Sequence, residues 1–351
     1  MLSNRISFRA LIFFLLSLLA LSAIIAISSG AYSISFQRFF ELIFTFFSGA
    51  HETDQIKRDS AVLWTIRIPR VLIAILSGAV LGASGTSLQG LFRTPIIEPG
   101  LIGISSISAL SAAIFSPTTI GLSLILGEVG SYILIIAVTT SCTVIFSIFL
   151  IVISNNKGNP STLKMLLAGI SVNAFTTAAI AIIIFADPHS QPIQIIYWLL
   201  GSLSNSSWKH TMIILPVSLF SIGFLFFNGN NIDAAILGDT TASSLGINTK
   251  KLRSRIIISA SIGVATVTST GGVIGFVGLL SPLLLRPILG AKHQKLIFSS
   301  ALLGSILVLI ADTISRTIFA PTELPVGVLL TCVGGPAFFF VLIKEEKAGR
   351  L

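Results

Sequence analysis

The sequence predicts an all-α polytopic membrane protein that crosses the bilayer about ten times, with some helices broken or of half length. Composition is the first reason. The 351 residues are 53% hydrophobic and only 10% charged, with a mean hydropathy of +0.97. Soluble domains carry about 25% charged residues, so this much apolar surface cannot be hidden in one aqueous core. The second reason is how the hydrophobic runs are interrupted. Glycines, prolines and a few charges break TSTGGVIGFVGLLSPLLLRPILGAKHQKL (268–296), Asp312 and Arg316 follow in an apolar run, and PTELPVGVLLTCVGGP closes the pattern at 321–336. In lipid every freed backbone group needs a partner inside the protein or in a water-filled cavity. Such breaks therefore point to a path across the membrane rather than to an anchor.

In chain order, Arg5 and Arg9 precede a charge-free run over 10–37. That run exceeds the roughly 7–15 apolar residues of a signal-peptide core, and many spans follow it, so an uncleaved first helix is expected. A spanning helix needs about 20 apolar residues. Windows of that kind cover 71–92, 99–127, 129–156, 165–186, 211–232, 256–285, 296–311 and 324–343. The window 256–285 is long for one helix and contains Thr270, Gly271 and Gly272; a span, a turn and a short half-span are expected there. This count puts both termini on one side. Of the 22 Lys and Arg, seven fall on the opposite side (Arg38, Lys57, Arg58, Arg67, Arg70, Lys209 and Arg316), leaving fifteen with the termini. The positive-inside rule then expects both termini in the cytoplasm.

The net charge of +9 follows from that topology and does not imply nucleic acid. A single transmembrane domain over 1–351 is expected, its longest polar stretches being 50–60 outside and 228–255 inside. Cys142 and Cys332 lie in apolar runs and suit buried small residues better than a disulfide or metal site. No metal-ligand spacing and no GxxxxGK[ST] loop occurs, so no metal or nucleotide cofactor is expected on this chain. The histidines at 51, 189, 210 and 293 fall in loops or at span ends and are read as solvated.

WTIRIPRVL (64–72) puts Arg67 and Arg70 one turn apart at the outer mouth of the second span, with Pro69 suited to a first helical turn. Arg316 sits at the outer end of the ninth span. Two readings stay open for these three: long side chains snorkelling to headgroups, or a docking surface for carboxylates, which arginine grips bidentately. On the inner side, NIDAAILGDTTASSLGINTKKLRSR (231–255) reads as two short helices closed by Gly238 and Gly246, with Asp239 and Thr240 as N-cap candidates. Apolar Ile236, Leu237 and Leu245 suit a groove on a partner; an amphipathic loop on the membrane surface is the alternative. Within the spans, Gly78, Gly82 and Gly85 have the small-residue spacing of close helix packing. Gln89 and Asn173 are candidates for polar roles in a pathway or between helices, as are Gly271 and Gly272 at the break. Asp312 reads as the one acid deep in an apolar span, and two readings stay open for it: a functional intramembrane acid, or a helix-surface ion pair with Arg316 at i+4.

At these residues the chain closely resembles the FecCD family of permease subunits from ABC importers of iron–siderophore complexes, haem and cobalamin. RIPR, QGLFRTPIIEPGLIGIS (89–105), LLAGISVNAF (166–175), YWLLGSLSNSSW (197–208), ILGDTTASSLG (236–246), GVIGFVGLLSP (272–282), ADTISR (311–316) and ELPVG (323–327) follow one another in the family's order. The resemblance implies a cobalamin-permease-like fold of ten helices per subunit in a homodimer in the inner membrane, bathed in lipid. It also implies two cytoplasmic ATPase subunits, which use the ATP, and a periplasmic substrate-binding protein. Arg67, Arg70 and Arg316 match positions that receive glutamates of the binding protein. Leu237, Gly238, Leu245 and Gly246 match the coupling helices that enter a cleft of the ATPase. The chain departs from the family at Thr94-Pro95, where Asn-Pro is usual, and at Leu283 after Pro282, where histidine is usual. The 89–105 run and the ELPVG ending look nearest the haem-uptake branch. An ion-gradient-driven carrier is the rival from another class; it would call for several intramembrane acids and no coupling segment.

Overall fold

A computed structural model describes residues 7–30, 41, 54–115, 118–156, 159–160, 162–186, 196, 198–318, 320 and 322–347. Expectations for Arg38, His51, Lys157 and His189 fall outside these residues. Helix α1 (Phe8–Ser28) starts at an N-cap serine, whose Oγ accepts the Ala10 N–H at 3.3 Å. A short amphipathic helix α2 (Asp54–Ala61) and a π-helical stretch (Val62–Arg67) lead into α3 (Ile68–Phe92). Pro69 lies in the first turn of α3, and Arg93 ends it in the left-handed conformation. Then follow α4 (Ile104–Phe115), α5 (Thr118–Ser154), a two-residue hairpin (Asn155–Asn156 with Asn159–Pro160), α6 (Thr162–Ala186) and α7 (Trp208–Phe227). The short pair α8 (Gly229–Ile236) and α9 (Asp239–Ser244) precedes α10 (Thr249–Gly271), α11 (Val277–Leu289), α12 (His293–Ile318) and α13 (Val326–Lys347).

Six helical stretches among the described residues are long and apolar enough to cross a membrane, and three shorter apolar helices join them at 104–115, 277–289 and 326–340. The expected windows hold helices in order, except that 99–127 is not one span: it contains the 12-residue α4 and the start of α5. The joint between the windows 99–127 and 129–156 is a kink at Gly127 (φ 71°) inside α5. The long window resolves as anticipated: α10 ends at Gly271, Gly272 takes φ 69°, and α11 is a half-span. Its 13 residues reach only about 20 Å, short of the roughly 30 Å hydrocarbon core.

Helix α3 is the axis of the bundle, buried almost continuously from Pro69 to Phe92. It can be so because it is rich in small residues. A Cβ added at Gly78 would lie 2.2 Å from the Gly304 carbonyl oxygen of α12, at Gly82 2.1 Å from Ser300 O, and at Gly85 2.0 Å from Gly278 O of α11. Backbones therefore touch, which in lipid supplies the dispersion contact that hydrophobicity cannot. Around this axis α1, α5, α6 and α7 turn large apolar side chains outward, including Phe13, Ile125, Phe185 and Phe220. Such faces suit lipid or a second subunit. Cys332 is exposed and Cys142 half-buried, so neither is the fully buried small residue the sequence implied.

Contacts sort the helix ends. Phe8 and Lys295 meet in a cation–π contact, placing the starts of α1 and α12 together. Arg93, ending α3, reaches Ala235 and Asp239, so α8 and α9 lie at that end too. At the opposite end the last carbonyls of α1 meet Arg67 and Arg316.

Candidate functional site

The bundle carries two candidate sites, one at each end. At the end where α1 stops, Arg67, Arg70 and Arg316 do come together, as the spacing anticipated, but their side chains point inward and are buried. Arg70 lies between two carboxylates. Its Nε donates to Asp312 Oδ1 and Oδ2 at 3.0 and 3.1 Å, and Nη2 to Oδ1 at 2.9 Å. Its Nη1 and Nη2 also donate to Glu323 Oε1 and Oε2, both at 3.0 Å. This double fork uses the planarity of the guanidinium, which a lysine lacks. Asp312 is fully buried, and Arg316 Nε sits 3.7 Å from its Oδ2. The expected Asp312–Arg316 pair forms, but buried rather than on the helix surface, and the main partner of Asp312 is on another helix, because a buried carboxylate needs several donors and one i+4 neighbour cannot supply them.

Arg67 and Arg316 have a further task. Arg67 Nη1 donates to the Ile27 and Ser28 carbonyls and Arg316 Nη2 to that of Ala26. These are the orphan acceptors at the C-terminus of α1, where a cation is also favoured by the helix dipole. Gly30 (φ 151°) brings the chain past them; a Cβ there would meet Arg67 Nη2 at 3.2 Å.

At the other end the segment 229–246 forms the two short helices that its glycines implied. Gly238 (φ 118°) separates α8 from α9, and Gly246 (φ 78°) follows α9. Gly238 rather than Asp239 or Thr240 occupies the N-cap of α9, and no side chain caps it; Asp239 is in the first turn, where its charge suits the helix dipole. Leu237 and Leu245 are 68% and 62% exposed. Exposed leucines on this short helix pair suit either a groove on a partner or the membrane surface.

The pathway candidates act as packing groups in this conformation. Gln89 is buried, and its Oε1 accepts from Arg286 Nη2 at 3.1 Å. Asn173 Nδ2 donates to Gly100 O at 3.0 Å, while its Oδ1 accepts from Ser106 Oγ at 2.6 Å. Gly271 O accepts from Ser202 N at 2.9 Å, and a Cβ at Gly272 would meet Trp198 O at 2.0 Å. Leu283 is half-buried on α11.

Three groups escaped the sequence reading. Glu98 is buried, as Asp312 and Asp59 are; its Oε2 accepts the Phe276 N–H at 3.0 Å, capping α11 from outside the helix. His210 is buried rather than solvated, with its ring 4.0 Å from that of Tyr132 beside a cavity of about 590 Å³. His293 is likewise buried, and its Nδ1 lies 2.6 Å from Asp233 Oδ1. A polar residue at a span end is solvated only if no neighbouring helix covers it. Phe276, Tyr132 and Asp233, which meet these three groups, lie 60 or more positions away in sequence, where local patterning is silent.

Comparison with known proteins agrees with this architecture. Residues 18–344 match the model of the FecCD transport family. The hemin transport system permease HmuU of Yersinia pestis is 32% identical, the match covering 98% of each chain. The iron(3+)-hydroxamate import permease FhuG of Bacillus subtilis is 32% identical over 82% of this chain and 85% of its own. The vitamin B12 import permease BtuC of Vibrio vulnificus is also 32% identical, over 82% and 84%. Among solved structures, a metal-chelate-type ABC transporter in an inward-facing conformation superposes with a TM-score of 0.77 at 26% identity, covering 96% of this chain and all of its own. Fold, helix-pair geometry and these matches lead to one conclusion: the chain is a multi-pass permease that belongs to the FecCD transport family.

Proposed function

We propose that this chain is the membrane-spanning subunit of an ATP-driven importer of an iron chelate in a bacterial inner membrane, with haem the first candidate and a ferric siderophore next. The observation that carries the ATP-driven reading is the helix pair α8–α9 with its exposed Leu237 and Leu245. A carrier driven by an ion gradient has no use for such a surface. It would also call for several intramembrane acids, whereas Asp312 is held by two arginines and Glu98 is committed to the Phe276 N–H. In this reading the chain does no covalent chemistry: two copies enclose the pathway, two cytoplasmic ATPase subunits receive Leu237, Gly238, Leu245 and Gly246, and both termini face the cytoplasm. A periplasmic binding protein docks on the opposite end. Arg67 and Arg316, buried against the end of α1 in this conformation, meet its carboxylates only if that end opens on docking, while Arg70, clasped by Asp312 and Glu323, holds the platform beside them. The haem preference rests on the 89–105 run and on a hemin permease whose match spans nearly the whole chain.

The test is growth of cells lacking this protein on hemin, ferric hydroxamates or ferric catecholates as sole iron source, with vitamin B12 uptake measured in parallel. Loss of growth on hemin alone is the expected result. Normal growth on hemin with loss on one siderophore would replace the substrate, and loss of B12 uptake alone would replace the iron chelate.

A further inference from the structure

Two polar ties fasten the exposed helix pair to the most tightly packed helices of the bundle. The first joins α8 to α12. Asp233 of α8 accepts the His293 N–H, the first of α12, at Oδ1 and Oδ2 (3.0 and 3.3 Å), and its Oδ1 also meets His293 Nδ1 at 2.6 Å. One carboxylate thus caps a transmembrane helix from a different element, where the dipole favours an anion. The second tie joins α3 to α8 and α9. Arg93 donates through Nη2 to Ala235 O at 2.6 Å and lies 3.7 Å from Asp239 Oδ1. Close packing at two glycines reinforces both, against backbone at Gly229 and against the His293 ring at Gly90. A Cβ at Gly229 would lie 2.6 Å from Gln294 Cα, and one at Gly90 2.4 Å from His293 Nε2. Because α3 and α12 touch backbone to backbone at Gly78–Gly304 and Gly82–Ser300, the two helices form one close-packed unit to which α8 is tied.

We infer that Asp233 and Arg93 are positioning residues that transmit movement of the α8–α9 pair to the α3–α12 pair, with Asp233 as the principal link. The inference rests on the reading of this chain as one of two permease subunits driven by ATPases seated on α8 and α9. Asp233 leads because it grips the end of a buried helix, whereas Arg93 and Asp239 are half-exposed, and exposed ion pairs contribute little.

The test uses the full complex with its ATPase in proteoliposomes, Cys142 and Cys332 replaced by serine, and a nitroxide on Thr317→Cys, an exposed site in the last turn of α12. The distance between the labels of the two permease copies is measured with and without ATP and vanadate. The unaltered complex should show a nucleotide-dependent displacement. Asp233→Ala should lose it while ATP hydrolysis continues, and Asp233→Asn, which still offers an acceptor to the His293 N–H, should restore it. Arg93→Gln should diminish it. A full displacement in Asp233→Ala overturns the inference, as does failure of Asp233→Asn to restore it. Where Asp233→Ala does not assemble, a full displacement in Arg93→Gln overturns it instead. Leu245→Asp separates this from the underlying reading. If Leu245→Asp leaves ATPase binding intact, or the unaltered complex shows no displacement, the ATP-driven reading itself fails. If Leu245→Asp releases the ATPase while Asp233→Ala moves normally, only the transmission role fails.

Discussion

Arg70 and Asp312 carry the largest single-residue consequences in the molecule. Asp312 is fully buried, and Arg70 satisfies it through two nitrogens. Removing one partner of a buried pair strands the other charge, at a cost of about 3–5 kcal/mol. Arg70→Met should therefore lower the thermal unfolding midpoint sharply in detergent. The double variant Arg70→Met/Asp312→Leu should recover part of that loss, since no carboxylate is left uncompensated at 312. Equal midpoints for the single and double variants would show that the pair is not coupled. Arg67 and Arg316 behave differently, because they close the end of α1 as well as forming the proposed dock. Arg67→Glu/Arg316→Glu should weaken binding-protein association. The unfolding midpoint measured alongside separates lost docking from a loosened α1. That these arginines share one end of the bundle was legible from RIPR and from the place of Arg316. That Arg70 serves Asp312 was not, because they stand 242 positions apart and the i+4 neighbour drew the assignment instead.

Among the elements, α3 shows how sequence fixes packing. Its glycines recur where α12 and α11 approach, and backbone contact replaces side-chain volume. Gly82→Val would thrust a branched side chain into the Ser300 carbonyl, and overpacking of this kind costs about 1–3 kcal/mol. The expected outcome is a lower unfolding midpoint and poorer accumulation in the membrane, whereas valine at open Gly223 on α7, where a Cβ meets nothing within 4 Å, should change little. The α8–α9 pair makes the opposite use of glycine: Gly238 and Gly246 adopt positive φ to turn the chain, leaving Leu237 and Leu245 exposed. Small buried anchors at an interface contribute about 1–2 kcal/mol each, so Leu237→Asp/Leu245→Asp should weaken ATPase association at least about tenfold in a pull-down titration, with the bundle still folded. Both elements were readable in advance because glycine spacing is a local signal. The caps were less so: Gly238, not Asp239, precedes α9, and Glu98 caps α11 from a loop far away in sequence.

Over the whole molecule, hydropathy windows located the spans because backbone satisfaction in lipid leaves helices as the solution. The half-span at 277–289 was visible as a Gly-Gly break, whereas at 127 only the charge of Glu128 parted the apolar windows and the kink at Gly127 was not foreseen. What patterning could not reveal is which span ends are covered by neighbours, so His210 and His293 were misjudged as solvated. The substrate is undetermined for a related reason: hemin, hydroxamate and B12 permeases match this chain at the same 32% identity. The energy source is the claim on which the rest depends, and uptake by the permease reconstituted with its ATPase in proteoliposomes tests it most directly. Hemin accumulation that requires ATP and survives ionophores collapsing the ion gradients is the predicted result. Accumulation that proceeds without ATP and disappears with the gradients would contradict the account.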